Sequence, residues 1–279
     1  MDHQNDNQSY SPYAAPTADT RLAPRVREAF FIPGGRSVSA GTAFSWISHS
    51  WRLFTQAPWT WIGYIIVLYG VCILLDYIPK VDDIIWICIQ PFLIAGVVYS
   101  CHLLRKDGTF TFGNLFIGFQ QKTGPLLIVS LIFFLLNVVV MILFFVLFGD
   151  AFSRIIASFI TAAQLYGPGS ATHHIPAILV EISIGVIFLL VGYTICGMAF
   201  WFAPALVIMH DIAPVAAIKM SFSACLKNLL PGIVFFITMP VLMLISAIPY
   251  YHLGLLVTVP MFFICFYTSY HSIFLDEEN

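Results

Sequence analysis

The chain has 279 residues, of which 59% are hydrophobic and 9% are charged, and its formal net charge at pH 7 is -2. Ordinary soluble domains have about 25% charged residues, so this composition excludes a water-soluble fold. The basic residues form no tract of the kind that binds nucleic acid, and no nucleic-acid partner is expected. Continuous apolar runs near the ~20 residues that cross a bilayer predict an all-α polytopic membrane protein rather than a β-barrel.

The first 38 residues differ in composition from the rest of the chain. Residues 1–38 are polar, rich in Pro, Ala, Asn and Gln, and lack the apolar segment of a signal peptide. This composition predicts a disordered cytoplasmic tail, followed by one transmembrane domain over residues 39–279.

Six apolar segments are predicted to cross the membrane. They are residues 58–78, 84–104, 125–148, 176–204, 232–248 and 253–274. The third and fourth spans are predicted to be joined by a loop over residues 149–175, with a short surface helix at 151–165. Pro204 removes a backbone donor inside the fourth apolar run, which predicts a kink where that helix leaves the hydrocarbon.

Three amphipathic segments precede these hairpins, over residues 41–56, 111–122 and 213–230. In the last of them Val215, Ile218 and Phe222 recur at steps of three and four, which is the period of an α-helix. Each segment is predicted to be an interfacial helix that lies flat along the bilayer with its apolar face in lipid. The basic residues predicted to contact anionic lipid headgroups are Arg52, Lys122, Lys219 and Lys227.

The prolines suggest an internal duplication. Pro58, Pro79 and Pro91 in the first third of the chain are followed, in the last third, by Pro231, Pro249 and Pro260 at similar spacings. A looser middle copy has its amphipathic segment before Pro125. We therefore predict three repeats of one unit, an interfacial helix followed by a membrane hairpin.

The distribution of basic residues predicts the orientation. With the N-terminus inside, ten of the twelve Lys and Arg residues lie in the cytoplasm, and only Lys80 and Arg154 lie outside. The positive-inside rule therefore predicts a bacterial inner-membrane protein whose N- and C-termini are both cytoplasmic.

Three sequence patterns carry a family resemblance. They are WFAPALVIMHD at residues 201–211, AxKxSFxACLxNxxPG at 217–232 and WxxxxWRLFxQAPWxW at 46–61. Over residues 41–274 the chain resembles an uncharacterised family of bacterial six-span inner-membrane proteins. That family is similar to the membrane domain joined to some glycerophosphodiester phosphodiesterases. The resemblance implies no catalytic residues, and the chain departs from the pattern at Ala213, where the family has a Ser suited to helix N-capping.

Three histidines occupy matching positions in the chain. His102, His210 and His271 each stand at the predicted cytoplasmic end of an even-numbered span. One interpretation is a metal or proton site. The other is that a histidine near a helix C-terminus is favourable without any ligand, and on that interpretation no metal is bound.

Two polar residues are predicted within the spans. Glu181 either serves a proton or cation pathway, or reaches the outer surface and pairs with Arg154, His173 or His174. Asn137 either lines a polar path or forms a hydrogen bond between spans. The two residues are the candidates for an intramembrane polar site.

The sequence contains no motif for catalysis. It has no nucleophile elbow, no phosphate loop, no zinc motif and no paired carboxylates. Neither an enzyme nor a cofactor is therefore predicted. The preferred hypothesis is a non-catalytic protein that supports envelope or lipid homeostasis through contacts with anionic lipids and with membrane proteins or further copies of itself. The alternatives are a small-solute transporter and a membrane subunit of an envelope or phosphodiesterase complex.

Overall fold

The structure is a computed structural model that describes residues 30–77, 82–166, 175–248 and 253–276. The secondary-structure elements within these ranges are helices apart from a short strand at each end. The strands are β1 (Phe30–Phe31) and β2 (Leu275–Asp276). The α-helices are α1 (Thr42–Gln56), α2 (Pro58–Asp76), α3 (Asp82–Asp107), α4 (Thr123–Tyr166), α5 (Ile175–Phe200), α6 (Ala203–His210), α7 (Pro214–Lys227), α8 (Leu229–Ala247) and α9 (Leu255–Phe274). A 3-10 helix, Phe112–Phe119, lies between α3 and α4.

Six stretches of the described helices are long and apolar enough to cross a membrane. They are Pro58–Leu75, Ile84–Asp107, Thr123–Asp150, Ser183–His210, Leu229–Ala247 and Leu255–Phe274. Each of them overlaps one of the six predicted spans. The predicted class, an all-α polytopic membrane protein, is therefore confirmed.

The fourth α-helix is much longer than the sequence predicts. α4 has 44 residues, which at 1.5 Å per residue is about 66 Å, against a hydrocarbon layer of about 30 Å. Residues 151–165 are helical as predicted, but they continue α4 directly and no loop precedes them at residues 149–150. The reason is that residues 149–166 contain no proline and a single glycine, and so no strong helix breaker. Residues 167–174, which include the predicted GPG turn, lie outside the described residues.

The second predicted amphipathic segment is a tight 3-10 helix rather than an α-helix. Its backbone lies directly against α3, because two glycines remove the side chains that would separate them. A Cβ atom on Gly96 would collide with the carbonyl group of Leu115, and one on Gly118 with the carbonyl group of Phe92. This close approach requires glycine at both positions.

The core lies where α3, α6 and α9 meet. Residues 91–98, 202–207 and 264–270 are buried without interruption, and α3 packs against both α6 and α9. The three short helices surround this core in cyclic order: α1 packs on α9, the 3-10 helix on α3, and α7 on α5 and α6. Among the described residues, a short helix followed by a membrane hairpin thus occurs three times. Its origin in an internal duplication stays a prediction.

The faces that α1 and α7 turn to the core are not the predicted apolar faces. The core-facing residues are Ala43, Trp46, Ser50, Leu53 and Phe54 in α1 and Ala217, Ser221 and Ala224 in α7. Of these, only Phe54 belongs to a predicted apolar face. Small and hydroxyl side chains permit close packing and hydrogen bonds there: Trp46 Nε1 donates to Ser272 Oγ at 2.6 Å, and Ser50 Oγ donates to the carbonyl of Trp46 at 2.7 Å. On α1 the spacing of Phe44, Ile47, Trp51 and Phe54 also predicts an apolar face, and Phe44 of that face is exposed.

The fourth membrane segment is broken rather than gently kinked. α5 ends at Phe200, α6 begins at Ala203, and Pro204 lies in the first turn of α6. Ser221 of α7 fills the gap: its hydroxyl donates to the carbonyl of Met198 at 2.8 Å and accepts from the amide of Phe202 at 2.9 Å. These two backbone groups would bond each other in a continuous helix. A side chain inserted into the helical hydrogen-bond ladder is a known cause of sharp bends.

Removal of this hydroxyl is expected to destabilise the protein. Ser221→Ala leaves a buried carbonyl and a buried amide without partners, which costs about 1–3 kcal/mol of unfolding free energy. Denaturant titration in micelles measures the change. Ser223→Ala is the matched control because Ser223 is exposed on the same helix. Equal stability of the two variants would show that the break does not depend on Ser221.

Candidate functional site

The three histidines singled out in the sequence lie together at one end of the core. We name this region the core end: it is where α3, α6 and α9 finish. His102 lies within electrostatic range of both His210 and His271, and all three rings are partly exposed. The cyclic packing of the core therefore brings together residues that are more than 50 positions apart in the chain.

His210 makes the closest contacts in this group. Its Nε2 lies 2.5 Å from the hydroxyl of Tyr270, a residue that is fully buried. The ring of Phe31 covers the imidazole at a centroid distance of 3.9 Å. Among the described residues no group of three or more His, Cys, Asp or Glu side chains could hold a metal ion. The three-histidine metal interpretation therefore has no geometric support in this part of the chain.

An N-terminal strap, residues 30–38, crosses the core end. β1 pairs with β2 in an antiparallel ladder, with Phe30 opposite Asp276 and Phe31 opposite Leu275. The predicted tail boundary at residue 38 is therefore too late, because residues 30–38 find backbone partners at the other end of the chain. Residues 1–29 of the predicted tail lie outside the described residues.

The strap is held by side chains at the end of α7 and in β2. Asn228, directly after α7, donates from Nδ2 to the carbonyl of Arg36 at 3.0 Å and accepts from the amide of Val38 at 2.8 Å. Lys227 Nζ donates to the carbonyl of Gly34 at 3.0 Å. On the other side, Arg36 forms a 3.0 Å ion pair with Asp276. The strap is thus part of the folded domain.

Of the four basic residues predicted to contact lipid, two are bound within the protein and two are not. Lys122 forms an ion pair with Asp211 at 2.5 Å, and Lys227 binds the strap. Arg52 and Lys219 are exposed, and neither forms an ion pair with a residue that the structure describes. Arg52 and Lys219 are therefore the two whose charges remain available for an external anion.

The structure describes the side chain of one of the two intramembrane candidates. Asn137 donates from Nδ2 to the carbonyl of Phe133 at 2.7 Å, one turn earlier in its own helix. The predicted bond between spans is thus replaced by a local one, because the short amide side chain reaches its own helical carbonyl. Glu181 lies in α5, but its side chain is outside the described residues, and its two predicted roles stay predictions.

Several contacts at the core end were not predicted from the sequence. Ser221 and Asn228 both lie in the pattern AxKxSFxACLxNxxPG, and the turn of the strap contains Gly34 and Gly35, both with positive φ. One signal in the sequence could have indicated the role of Ser221: it is a polar residue on the core side of an amphipathic helix. Nothing in the local sequence indicated that Tyr270 would reach His210.

Comparison with known proteins adds no assignment. No family model, curated protein or solved structure matches the chain. The resemblance to a six-span inner-membrane family therefore stays a prediction, and the function must be argued from the geometry of the core end.

The strap provides a direct test of the core-end geometry. Gly35 has φ +66°, and a Cβ there would lie 2.8 Å from Cγ2 of Ile273. Because a left-handed conformation costs an L-residue about 1–2 kcal/mol, Gly35→Ala is expected to open the strap more often. Trypsin cleavage after Arg36 should then accelerate about 5- to 30-fold.

Gly41→Ala is the matched control for this experiment. Gly41 has φ -64° and no atom within 4 Å of a Cβ built on it, so cleavage after Arg36 should keep the wild-type rate. Equal rates for the two variants would contradict the packing of the strap on α9.

Proposed function

We propose that the protein is a non-catalytic integral protein of the bacterial inner membrane that binds anionic lipid at its core end. Through contacts with lipid and with other membrane proteins it supports lipid or envelope homeostasis. One observation carries the proposal: both α1 and α7 leave large apolar side chains and an available base exposed after their core-facing sides are buried.

The exposed sides of α1 and α7 each combine an apolar side chain with a basic one. On α1, Phe44 is 57% exposed and Arg52 is exposed on the same helix. On α7, Val215 is 53% exposed and Lys219 follows one turn later. This combination suits a bilayer interface, because apolar side chains enter the acyl region and a basic side chain contacts lipid phosphate groups.

The polar and reactive groups nearest this surface have structural roles. The Ser221 hydroxyl bonds the backbone of the α5–α6 break. Burial raises the pKa of the Cys225 thiol to about 12, although a hydrogen bond with Ser221 acts in the opposite direction. Cys225 is therefore protonated at neutral pH and a poor nucleophile, which supports a non-catalytic role.

The location of the bases supports a cytoplasmic core end. Arg36 belongs to the strap, Arg105 and Lys106 end α3, and Lys122 is paired with Asp211 directly after α6. An excess of Lys and Arg marks the cytoplasmic side of inner-membrane proteins. Because β1 and β2 pair, both ends of the described chain belong to this side.

The two alternative functions have less support. A transporter places several polar groups or broken helices at mid-membrane. Here the break between α5 and α6 is filled by the Ser221 hydroxyl, and Asn137 is bonded within its own helix. The role as a membrane subunit of an envelope or phosphodiesterase complex rests on the family resemblance alone. Both stay hypotheses, as does the formation of a homo-oligomer.

Reporter fusions test the orientation. Alkaline phosphatase fused after Asn279 should be inactive and a fluorescent protein fused there should be bright, because the core end faces the cytoplasm. A phosphatase fusion after Tyr77, at the opposite end of α2, should be active and serves as the control. Phosphatase activity of the Asn279 fusion would place the core end in the periplasm and contradict the proposed orientation.

Lipid selectivity tests the function itself. Wild-type protein extracted from vesicles with equal amounts of phosphatidylglycerol and phosphatidylcholine should retain an excess of the anionic lipid. Since a base near the surface contributes about 1 kcal/mol, Arg52→Gln and Lys219→Gln should each lower that excess about fivefold. Mass spectrometry of the retained lipids gives the ratio.

The charge-conserving variants Arg52→Lys and Lys219→Arg are the controls for selectivity, and both should keep the wild-type ratio. Wild-type protein that retains the two lipids equally would contradict the proposed function.

A further inference from the structure

One side of α4 packs against α5. Val140 and Phe144 of α4 lie against glycines of α5, and the ring of Phe148 contacts that of Phe188 at a centroid distance of 5.5 Å. Positions 140, 144 and 148 follow one another at steps of four, so they lie on the same side of the helix. The other side of α4 is therefore turned away from α5.

That other side carries a seven-residue repeat of exposed apolar residues, which we name the α4 seam. Its positions alternate at steps of four and three, which is the spacing of a coiled-coil contact. The large side chains of the seam are Leu135, Val139, Ile142, Val146, Ile156 and Ile160. They are between 45% and 74% exposed. Two small residues, Gly149 and Ser153, occupy the remaining positions of the repeat.

The bilayer can cover only part of the α4 seam. The 44 residues of α4 extend over about 66 Å, whereas a helix tilted by about 40° crosses a hydrocarbon layer of about 30 Å within about 39 Å of its length. The apolar span in α4 ends at Asp150, and the polar residues Ser153 and Arg154 are exposed just beyond it. Ile156 and Ile160 lie further along and are 45% and 53% exposed. Lipid acyl chains do not reach these positions, so their burial requires a protein surface.

We propose that the α4 seam is the contact between two copies of this protein, with the two α4 helices parallel. Copies that insert with the same topology are related by a two-fold axis along the membrane normal, so identical helices run in the same direction. Gly149 and Ser153 then face their own counterparts, which lets the two backbones approach closely. Asp150 and Arg154 lie outside the repeat, so the contact places no like charges along the axis. This inference goes beyond the proposed function, which does not depend on it.

The length of the α4 seam is sufficient for a dimer. Ile128, which is exposed, and Ile132 continue the repeat towards the start of α4. From Ile128 to Ile160 the repeat extends over about 50 Å, and a contact strip about 10 Å wide then buries about 1,000 Å² in total on the two copies. Specific interfaces begin at about this size. A second copy supplies an identical apolar surface of the same length.

Disulfide crosslinking tests the parallel contact. In Ser153→Cys the thiols of two copies lie close to the axis, within reach of a disulfide bond. Copper phenanthroline should therefore convert most of this variant, in native membranes, into a species of twice the monomer mass that a reducing agent dissociates. The wild-type protein measures the background from the six native cysteines.

Thr161→Cys is the matched control for crosslinking. Thr161 is exposed on α4 but directly follows the seam residue Ile160, so its side chain points away from the axis. This variant should form no more dimer than the wild-type protein. Equal crosslinking of the two variants, no dimer of Ser153→Cys above the wild-type level, or its crosslinking to a different protein would each overturn the proposal.

A charged side chain tests the contact without crosslinking. Ile156→Glu removes two apolar side chains from the dimer contact and places two carboxylates there, so the dissociation constant should rise at least about tenfold. Thr161→Glu adds the same charge outside the seam and should leave the dissociation constant unchanged. Energy transfer between donor-labelled and acceptor-labelled full-length protein in phosphatidylcholine vesicles, at several ratios of protein to lipid, gives the constant.

Both glutamate variants should fold, because Ile156 and Thr161 are exposed within one copy. Circular dichroism of the reconstituted proteins verifies the helix content. Wild-type protein without energy transfer, or equal dissociation constants for Ile156→Glu and Thr161→Glu, would overturn the dimer contact along α4.

Discussion

The fold depends on which groups form hydrogen bonds with the backbone amide and carbonyl where a membrane segment breaks. In an apolar surrounding, an unpaired amide or carbonyl costs several kcal/mol, so a span stays helical unless another group replaces the lost bond. The Ser221 hydroxyl does this by bonding Met198 and Phe202 at once. The break lets α6 leave the line of α5 and join α3 in the core, and it fixes α7 across the junction. The cyclic packing at the core end follows from that one replacement.

The core end also explains why the strap is ordered. Helix ends leave carbonyl groups without intrahelical partners, and the end of α9 is covered by the strap: the amide of Ile32 donates to the carbonyl of Phe274, and that of Arg36 to the carbonyl of Ile273. Phe31 adds a ring over His210. His210 thus lies under a folded segment, and the clustering of the three histidines reflects the packing of three helix ends.

Hydropathy predicts the six spans, because a bilayer requires long apolar helices wherever the chain crosses it. The length of α4 could not be predicted in this way: residues beyond Asp150 are less apolar, yet nothing in them ends a helix. The strap was missed because its partners are about 190 to 240 residues away. Many of them are backbone groups, which carry no sequence signal. Likewise, the partner of Lys122 is Asp211, and no local pattern connects these two residues.

α7 connects the separate features of the core end. Ser221 holds the break, and Lys227 and Asn228 at its end hold the strap. The two sides of this helix therefore have different surroundings. Its small residues contact the core, and its other side is exposed. Because binding free energies are reciprocal, a ligand that favours one position of α7 must also favour the strap and break geometry that belongs to that position. On the proposed function, lipid contact at α7 and the internal packing of the core end are therefore coupled through a single helix.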